Sequence, residues 1–100
     1  MDYQVILSPS ARRDIKGIVH YISYDAPIRA EQFGLLLISK TKILSSFPEL
    51  GRVVPEFNDP SIREIVVRNY RVIYRVDHAR EVVEVIRYWH GARGEPEIGS

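Results

Sequence analysis

Two hydrophobic periods follow one another along the chain, and their order predicts which segments form strands and helices. A short apolar run at residues 3–7 indicates a first strand. Apolar residues then recur at intervals of three and four over about residues 9–24 and 28–46, which is typical of helices with one buried face. Asp25 and Pro27 separate these segments, so we expect an antiparallel helical hairpin. Helices of this length are only marginally stable in water when their apolar faces stay exposed. The hairpin must therefore pack these faces on an apolar surface.

The second half of the chain has the two-residue alternation of β-strands. A segment rich in proline and glycine at 48–61 predicts a loop, and strand patterns follow at 62–68, 70–77 and 81–89. The element order is β-α-α-β-β-β. It predicts an α+β fold in which an antiparallel sheet carries the N-terminal helical hairpin on one face.

The composition fits one soluble globular domain, with 45% hydrophobic and 27% charged residues in a chain of 100. We expect this domain to span residues 1–93 and residues 94–100 to form a flexible tail. No apolar run approaches the roughly 20 residues of a transmembrane helix, and the N-terminus lacks the basic start of a signal peptide. The sequence therefore favours a cytoplasmic protein that binds no membrane.

The residue types exclude several kinds of chemistry. The chain has no cysteine, which excludes disulfides, thiolate metal sites and cysteine nucleophiles. Neither a His-x-x-x-His pair nor an acidic cluster indicates a metal site, and no glycine-rich loop matches a nucleotide-binding motif. We therefore expect neither a metal nor a cofactor, and no Ser-His-acid triad can be singled out.

The net charge of +1 hides an uneven distribution of arginine. Residues 61–93 contain seven arginines against four acidic residues, whereas residues 1–60 are neutral. Arginine pairs with carboxylates or phosphates through two parallel hydrogen bonds, so this excess predicts an anion-facing sheet surface for nucleic acid or an acidic protein segment. The alternative is that these arginines only keep an exposed sheet surface soluble. The candidate binding residues are Arg52, Arg63, Arg71, Arg75, Arg87, Tyr88 and Trp89.

His90 and Arg71 are the residues that the pattern favours most for chemistry. His90 ends the last predicted strand, and a strand-end histidine beside aromatic and basic residues can present a proton-transfer group to a ligand. Such histidines are also common as purely structural residues. Arg71 shares one strand face with Arg75, about 13 Å away, so the two could contact phosphates two steps apart along a nucleic-acid strand. Arg93 adds a further basic group after His90.

Five segments, spread over residues 3–93, together resemble the RelE/ParE superfamily, the toxins of type II toxin–antitoxin modules. The ParE-like branch is the most similar. Each segment is modest alone, and it is their number and order that carry the resemblance. The segments are Ser8-Pro9-x-Ala11-x-x-Asp14-Ile15-x-x-Ile18-x-x-Tyr21-Ile22, Phe47-Pro48-x-Leu50-Gly51-Arg52, Arg63-Glu64-Ile65, Asn69-Tyr70-Arg71-Val72-Ile73-Tyr74 and Val85-Ile86-Arg87-x-x-His90-Gly91-x-Arg93.

The resemblance implies one of two activities. ParE-like members bind and poison DNA gyrase, which blocks replication. RelE-like members are metal-independent ribonucleases that cut mRNA on the ribosome, and Arg71, His90 and Arg93 match the region of their catalytic residues. Members of both branches are neutralised by a cognate antitoxin, which usually folds a disordered and often acidic segment onto the toxin.

The sequence departs from the nuclease pattern at its end. No tyrosine or lysine follows His90, and Glu95 and Glu97 stand there instead. Negative charge beside a phosphate-cleaving site would oppose the charge that the site must stabilise. We therefore favour the gyrase-binding branch, under which the protein is not an enzyme. The alternatives are a ribosome-dependent mRNA endoribonuclease and a degenerate member that only binds its antitoxin.

Overall fold

In the computed structural model, which describes residues 2–98, two helices lie on one face of a five-stranded sheet. The predicted α+β class is confirmed, and so is the order of the predicted elements, with one short strand added. The helices are α1 (Pro9–Ser23) and α2 (Pro27–Ile43), and the strands are β1 (Gln4–Leu7), β2 (Arg52–Val53), β3 (Ile62–Val67), β4 (Tyr70–Asp77) and β5 (Val82–His90). A short 3₁₀ helix, Gly91–Arg93, follows β5, and the strand order is β1-β5-β4-β3-β2.

The sheet is mixed, whereas the sequence pattern predicts an antiparallel one. β1 runs parallel to β5, and the other neighbouring strands are antiparallel. This pairing brings together segments that are far apart in the sequence, with Gln4 opposite Val82. A pattern of neighbouring residues cannot predict it. The added strand β2 lies within the predicted loop at 48–61 and pairs with β3.

Ser8 joins the start of α1 to the sheet. Its side-chain oxygen accepts a hydrogen bond from the backbone N–H of Ala11 (3.0 Å), which caps the helix, and its hydroxyl donates to the carbonyl of Ile86 in β5 (2.8 Å). Pro9 occupies the first helical position, where its missing N–H costs no hydrogen bond. The direction of α1 is therefore fixed against the strand that ends at His90.

The sheet has a core on each face. Toward the helices, Val72, Tyr74 and Val76 of β4 pack with Leu37 of α2, as the alternation predicts. The opposite face holds a smaller second cluster. Its buried members are Val54, Ile62, Ile73, Ile86 and Trp89, and Phe57 and Ile98 pack against it.

Residues 94–98 lie against this second cluster. The indole N–H of Trp89 donates to the carbonyl of Gly94 (3.1 Å), and Arg87 donates to the carbonyl of Glu97 (2.9 Å). Pro96 is buried. The flexibility expected of the tail at 94–100 stays a prediction, and its last two residues lie outside the described part of the chain.

Candidate functional site

Arg71 on β4 is held by two carboxylates of its own chain. Its Nη1 and Nη2 atoms donate to the two oxygens of Glu56, at 2.9 and 2.8 Å, and its Nε donates to Glu64. The side chain is only 13% exposed. The hydrogen bonds with Glu56 and Glu64 raise the pKa of Arg71 above its usual value. All three nitrogens of the guanidinium therefore already donate hydrogen bonds within the protein, and an incoming anion would have to compete with these glutamates.

Glu64 is a buried carboxylate on β3, and Arg52 is its second partner. The Glu64 side chain has no exposed surface, and Arg52 Nη2 lies 2.7 Å from its Oε2 atom. Gly51, which precedes Arg52, lies so close to β3 that a side chain there would collide with the backbone of Glu64. A buried charge is stable only when it is paired and hydrogen-bonded, so both arginines are structurally required here.

The resulting network of two arginines and two glutamates is neutral. Hydrogen bonds from Arg71 lower the pKa of Glu56 to about 2, so the carboxylate of Glu56 stays ionised at neutral pH. This face of the sheet consequently projects far less positive charge than its arginine content predicts.

A cavity of about 350 Å³ adjoins the network at the end of the sheet. We call it the arginine cavity. It brings together three residues predicted from the sequence, Arg52, Arg71 and His90. Arg68, which the sequence analysis did not select, also lines it; it lies in the β3–β4 turn, where its φ of 57° is left-handed.

A backbone N–H two residues further along the chain fixes the ring of His90. Its Nδ1 atom accepts a hydrogen bond from the N–H of Ala92 (3.1 Å), so the neutral ring carries its hydrogen on Nε2. The ring meets the edge of Tyr70, with centroids 5.0 Å apart. This places His90 on the helix-facing side of the sheet, whereas Arg71 lies opposite Trp89 on the other side.

The structure does not bring the three candidate catalytic residues into one cavity. Arg93 lines a second cavity of about 300 Å³, which it shares with His90 but not with Arg71. We call this the tyrosine cavity, because Tyr21 and Tyr70 also line it. The Arg93 guanidinium stacks on Trp89, 4.1 Å from the ring centroid.

The other candidate arginines differ in how free they are. Arg87 binds both oxygens of Asp14, at 2.7 and 2.9 Å, which raises the pKa of Arg87. Arg63 donates to the carbonyl of Gly51 at 2.8 Å. Arg75 is exposed, opposite Ile62 on one neighbouring strand. Of these three arginines, only Arg75 has its side chain open to solvent.

The two candidate aromatic residues are buried. Tyr88 lies beneath the helices, where its hydroxyl is 2.9 Å from that of Thr41, and burial raises its pKa. Trp89 lies in the second cluster and is 2% exposed. Both side chains stabilise the fold and present almost no surface to a partner.

Sequence reasoning missed the glutamates of the network, and one of them carried a signal. Glu64 follows Ile62 by two residues on a strand, so both side chains point to the same buried face. A carboxylate at an inward position predicts a cationic partner. Glu56 carried no such signal, because it lies in an irregular loop whose path the pattern does not determine.

A cavity of about 650 Å³ lies between the helical hairpin and the β3–β4 turn. We call it the hairpin cavity. Its apolar wall includes Phe33, Leu36 and Tyr70, and Arg29 and Arg68 also line it. No carboxylate of residues 2–98 lines this cavity, which therefore combines apolar surface with positive charge.

Two kinds of feature are absent from the part of the chain that the structure describes. Between residues 2 and 98, no three histidine or acidic side chains approach closely enough to hold a metal ion. In the same range, no helix has the length and hydrophobicity needed to cross a lipid bilayer.

Comparison with known families places the chain. The family model described as the ParE toxin of the type II toxin–antitoxin system parDE matches residues 5–94. The chain belongs to this ParE toxin family. The resemblance predicted from the sequence motifs is thereby confirmed, and the protein is a type II toxin–antitoxin toxin. No curated protein sequence matches it.

Solved structures show the same fold as this ParE-family toxin. The chromosomal ParDE system from P. aeruginosa matches with a TM-score of 0.72 and 18% identity, over 88% of this chain and 95% of that one. The RelBE2 toxin–antitoxin complex from Mycobacterium tuberculosis matches with a TM-score of 0.61 and 22% identity, over 90% of this chain and 99% of that one. A doubly substituted E. coli RelE toxin in the free state matches with a TM-score of 0.66 and 20% identity, over 94% of this chain and 88% of that one. At these identities the likeness concerns the fold alone.

Proposed function

We propose that this toxin binds DNA gyrase and inhibits it, and that a cognate antitoxin neutralises it. The family supports a ParE-type target, since gyrase is the target that the resemblance implies. The observation that carries the choice against the nuclease branch is the pairing of Arg71 with Glu56 and Glu64. The proposal includes a cytoplasmic location, because gyrase acts on the chromosome.

The Arg71 pairing opposes phosphate chemistry in two ways. An RNA phosphate would have to displace Glu56 from a geometry with two parallel hydrogen bonds. Glu64 would remain beside it, buried and negative, where the developing charge of the transition state needs positive groups. The separation of Arg71 from Arg93, which line different cavities, weakens the nuclease arrangement further.

The hairpin cavity supports the antitoxin part of the proposal. Its apolar wall and its two arginines suit an acidic segment that also carries apolar side chains, and a disordered, often acidic segment is what the resemblance implies for the antitoxin. Tyr24 and Ile28, each 75% exposed, extend apolar surface along the hairpin nearby. Two of the structural neighbours are themselves described as toxin–antitoxin assemblies.

One observation favours the alternative of a ribosome-dependent ribonuclease. The arginine cavity is lined by Arg52, Arg68 and Arg71, a set that could bind a phosphate, and by His90, whose ring packs on Tyr70 and would have to turn toward Arg71 to transfer a proton. This activity requires Glu56 to leave Arg71 when RNA binds.

Two assays on the purified toxin decide between these functions: inhibition of gyrase supercoiling, and cleavage of mRNA on programmed ribosomes. We expect inhibition of supercoiling that survives His90→Ala, and no mRNA cleavage. Arg80→Ala is the matched control, since Arg80 is exposed in the β4–β5 turn and lines none of the three cavities. Cleavage that is lost in a folded Arg71→Ala variant would establish the ribonuclease instead, and inactivity in both assays would indicate a degenerate toxin.

The antitoxin is tested separately. We expect the product of the adjacent gene to raise the melting temperature of the toxin, because a ligand that binds only the folded state stabilises it. Arg29→Glu should weaken this complex by placing a carboxylate at the hairpin cavity. A toxin that is monodisperse alone and whose melting temperature does not change would count against the proposal.

A further inference from the structure

We propose that the tyrosine cavity binds a nucleotide through a stacked base and a phosphate, a function beyond the proposed inhibition of gyrase. It is about 300 Å³ in volume, the lower end of the range for small-molecule sites. Three elements form it, α1, β5 and the end of the chain after β5, together with Tyr70 of β4. Its aromatic rings and its charge point to this class of ligand.

Aromatic rings from three different elements line the cavity. Tyr21 comes from α1, Tyr70 from β4 and His90 from β5. The edge-to-face packing of Tyr70 and His90 holds these two rings in place, whereas the ring of Tyr21 is 76% exposed and free to cover a ligand. Bases stack on such rings, since every base has a flat π-face.

The charge of the cavity suits a phosphate. Arg13 and Arg93 line it, and within the described residues neither forms an ion pair, although the Arg93 guanidinium also stacks on Trp89. Among the described residues, Asp14 is the one carboxylate in its lining, and both of its oxygens are already bound, by Arg87 and by the backbone N–H of Tyr88. Positive charge is therefore left uncompensated on this side of the molecule.

His90 adds a directed donor. Because its Nδ1 atom accepts from Ala92, the hydrogen of the neutral ring lies on Nε2, and no described residue accepts it. A phosphate oxygen is a strong acceptor for such a donor. The cavity thus offers aromatic rings to the base and hydrogen-bond donors to the phosphate.

Gly17 leaves part of the lining of the cavity open. It lies in α1 and lines the cavity, and a Cβ atom built on it would meet nothing within 4 Å. Glycine in the middle of a helix costs about 0.5–1 kcal/mol relative to alanine, so its presence here is not explained by helix stability. A larger side chain at this position would fill the space without clashing with the fold.

Calorimetric titration of the full-length toxin with adenosine 5′-monophosphate tests the site. We expect saturable binding that Gly17→Leu abolishes and that Arg13→Gln weakens at least about tenfold, as loss of a charge-assisted hydrogen bond predicts. Gly17→Ala and Lys16→Gln are the matched controls. The first keeps the cavity open, the second removes a neighbouring charge outside it, and both should bind within about twofold of the wild type.

The ligand series identifies what is bound. Adenosine and inorganic phosphate should each bind more weakly than the nucleotide, since each provides only half of the contacts. A 5′-phosphorylated single-stranded oligonucleotide that competes with the nucleotide would assign the site to nucleic-acid ends, and its failure to compete would assign it to free nucleotides. Absence of binding, unchanged affinity in Gly17→Leu, or phosphate binding as tightly as the nucleotide would each overturn the inference. Because gyrase is absent from this titration, its outcome does not depend on the proposed function.

Discussion

Arg71 determines whether the buried charge of Glu64 is tolerated. Arg52 also pairs with Glu64, but the Arg52 side chain is 65% exposed, whereas that of Arg71 is 13% exposed. Arg71→Ala should therefore lower the free energy of unfolding by about 3 kcal/mol, measured by urea denaturation, because it leaves an incompletely paired buried carboxylate. A double variant, Arg71→Met with Glu64→Leu, removes that charge as well and should be less destabilised. A change below about 0.5 kcal/mol in Arg71→Ala would contradict this account.

Glu56 should make stability depend on pH. Its pKa in the folded protein is about 2, lowered from 4.5 mainly by the hydrogen bonds from Arg71. A folded-state pKa below the unfolded one stabilises the fold above about pH 4.5, and this stabilisation is lost as the pH falls toward 2. Since the Glu56 side chain is 28% exposed, the contribution should be no more than about 1 kcal/mol.

The comparison of Glu56→Gln with the wild type measures this contribution. The variant should be less stable in denaturant titrations near neutral pH, and the difference should shrink as the pH is lowered through the acidic range. Glu95→Gln serves as the control, because Glu95 forms no ion pair within the described residues. A difference that stays constant with pH would show that Glu56 does not bind Arg71 in solution.

At the scale of elements, residues 94–98 act as a cover for the second cluster. Trp89 is the one tryptophan of the chain and is 2% exposed, so its fluorescence reports on this cover. A chain that ends at Glu95 should show a red-shifted emission maximum, together with a loss of about 1–2 kcal/mol in the free energy of unfolding from the lost apolar contact of Ile98.

A substitution within residues 94–98 tests whether the side-chain charge of Glu97 contributes to this cover. Glu97→Ala should leave emission and stability close to those of the wild type, because Arg87 binds the backbone carbonyl of Glu97. If the shortened chain kept the emission of the full chain, the tail would be flexible, as the sequence suggests.

The elements were predictable to the extent that their signals are local. The helical stripes and the alternation in β4 depend on neighbouring residues, and α1, α2 and the strand meander lie where these patterns place them. The parallel pairing of β1 and the position of Glu56 depend on contacts between distant segments. Arg71 and His90 were therefore identified as candidates, whereas the carboxylates that occupy Arg71 were not.

For the whole molecule, internal pairing matters more than arginine content. The net charge is only +1, and the arginines selected from the sequence divide between ion pairs, backbone contacts and open solvent. Arg71 and Arg87 are bound by carboxylates, and Arg63 donates a hydrogen bond to a backbone carbonyl. A surface of this kind recognises a shaped partner better than it attracts a uniform polyanion.

The salt dependence of non-specific DNA binding tests this conclusion. Each phosphate that a protein neutralises contributes about 0.9 to the slope of log affinity against log salt concentration. If Arg52, Arg63, Arg71, Arg75 and Arg87 all bound phosphates, the slope would be about −4.5. We expect weak binding to a plain duplex, with a slope shallower than about −2, and we expect Glu56→Gln to steepen it by at most about one phosphate contact, because it removes one of the two carboxylates that bind Arg71. A wild-type slope near −4.5 would mean that the ion pairs open readily, and it would restore the nucleic-acid surface that the arginine pattern first indicated.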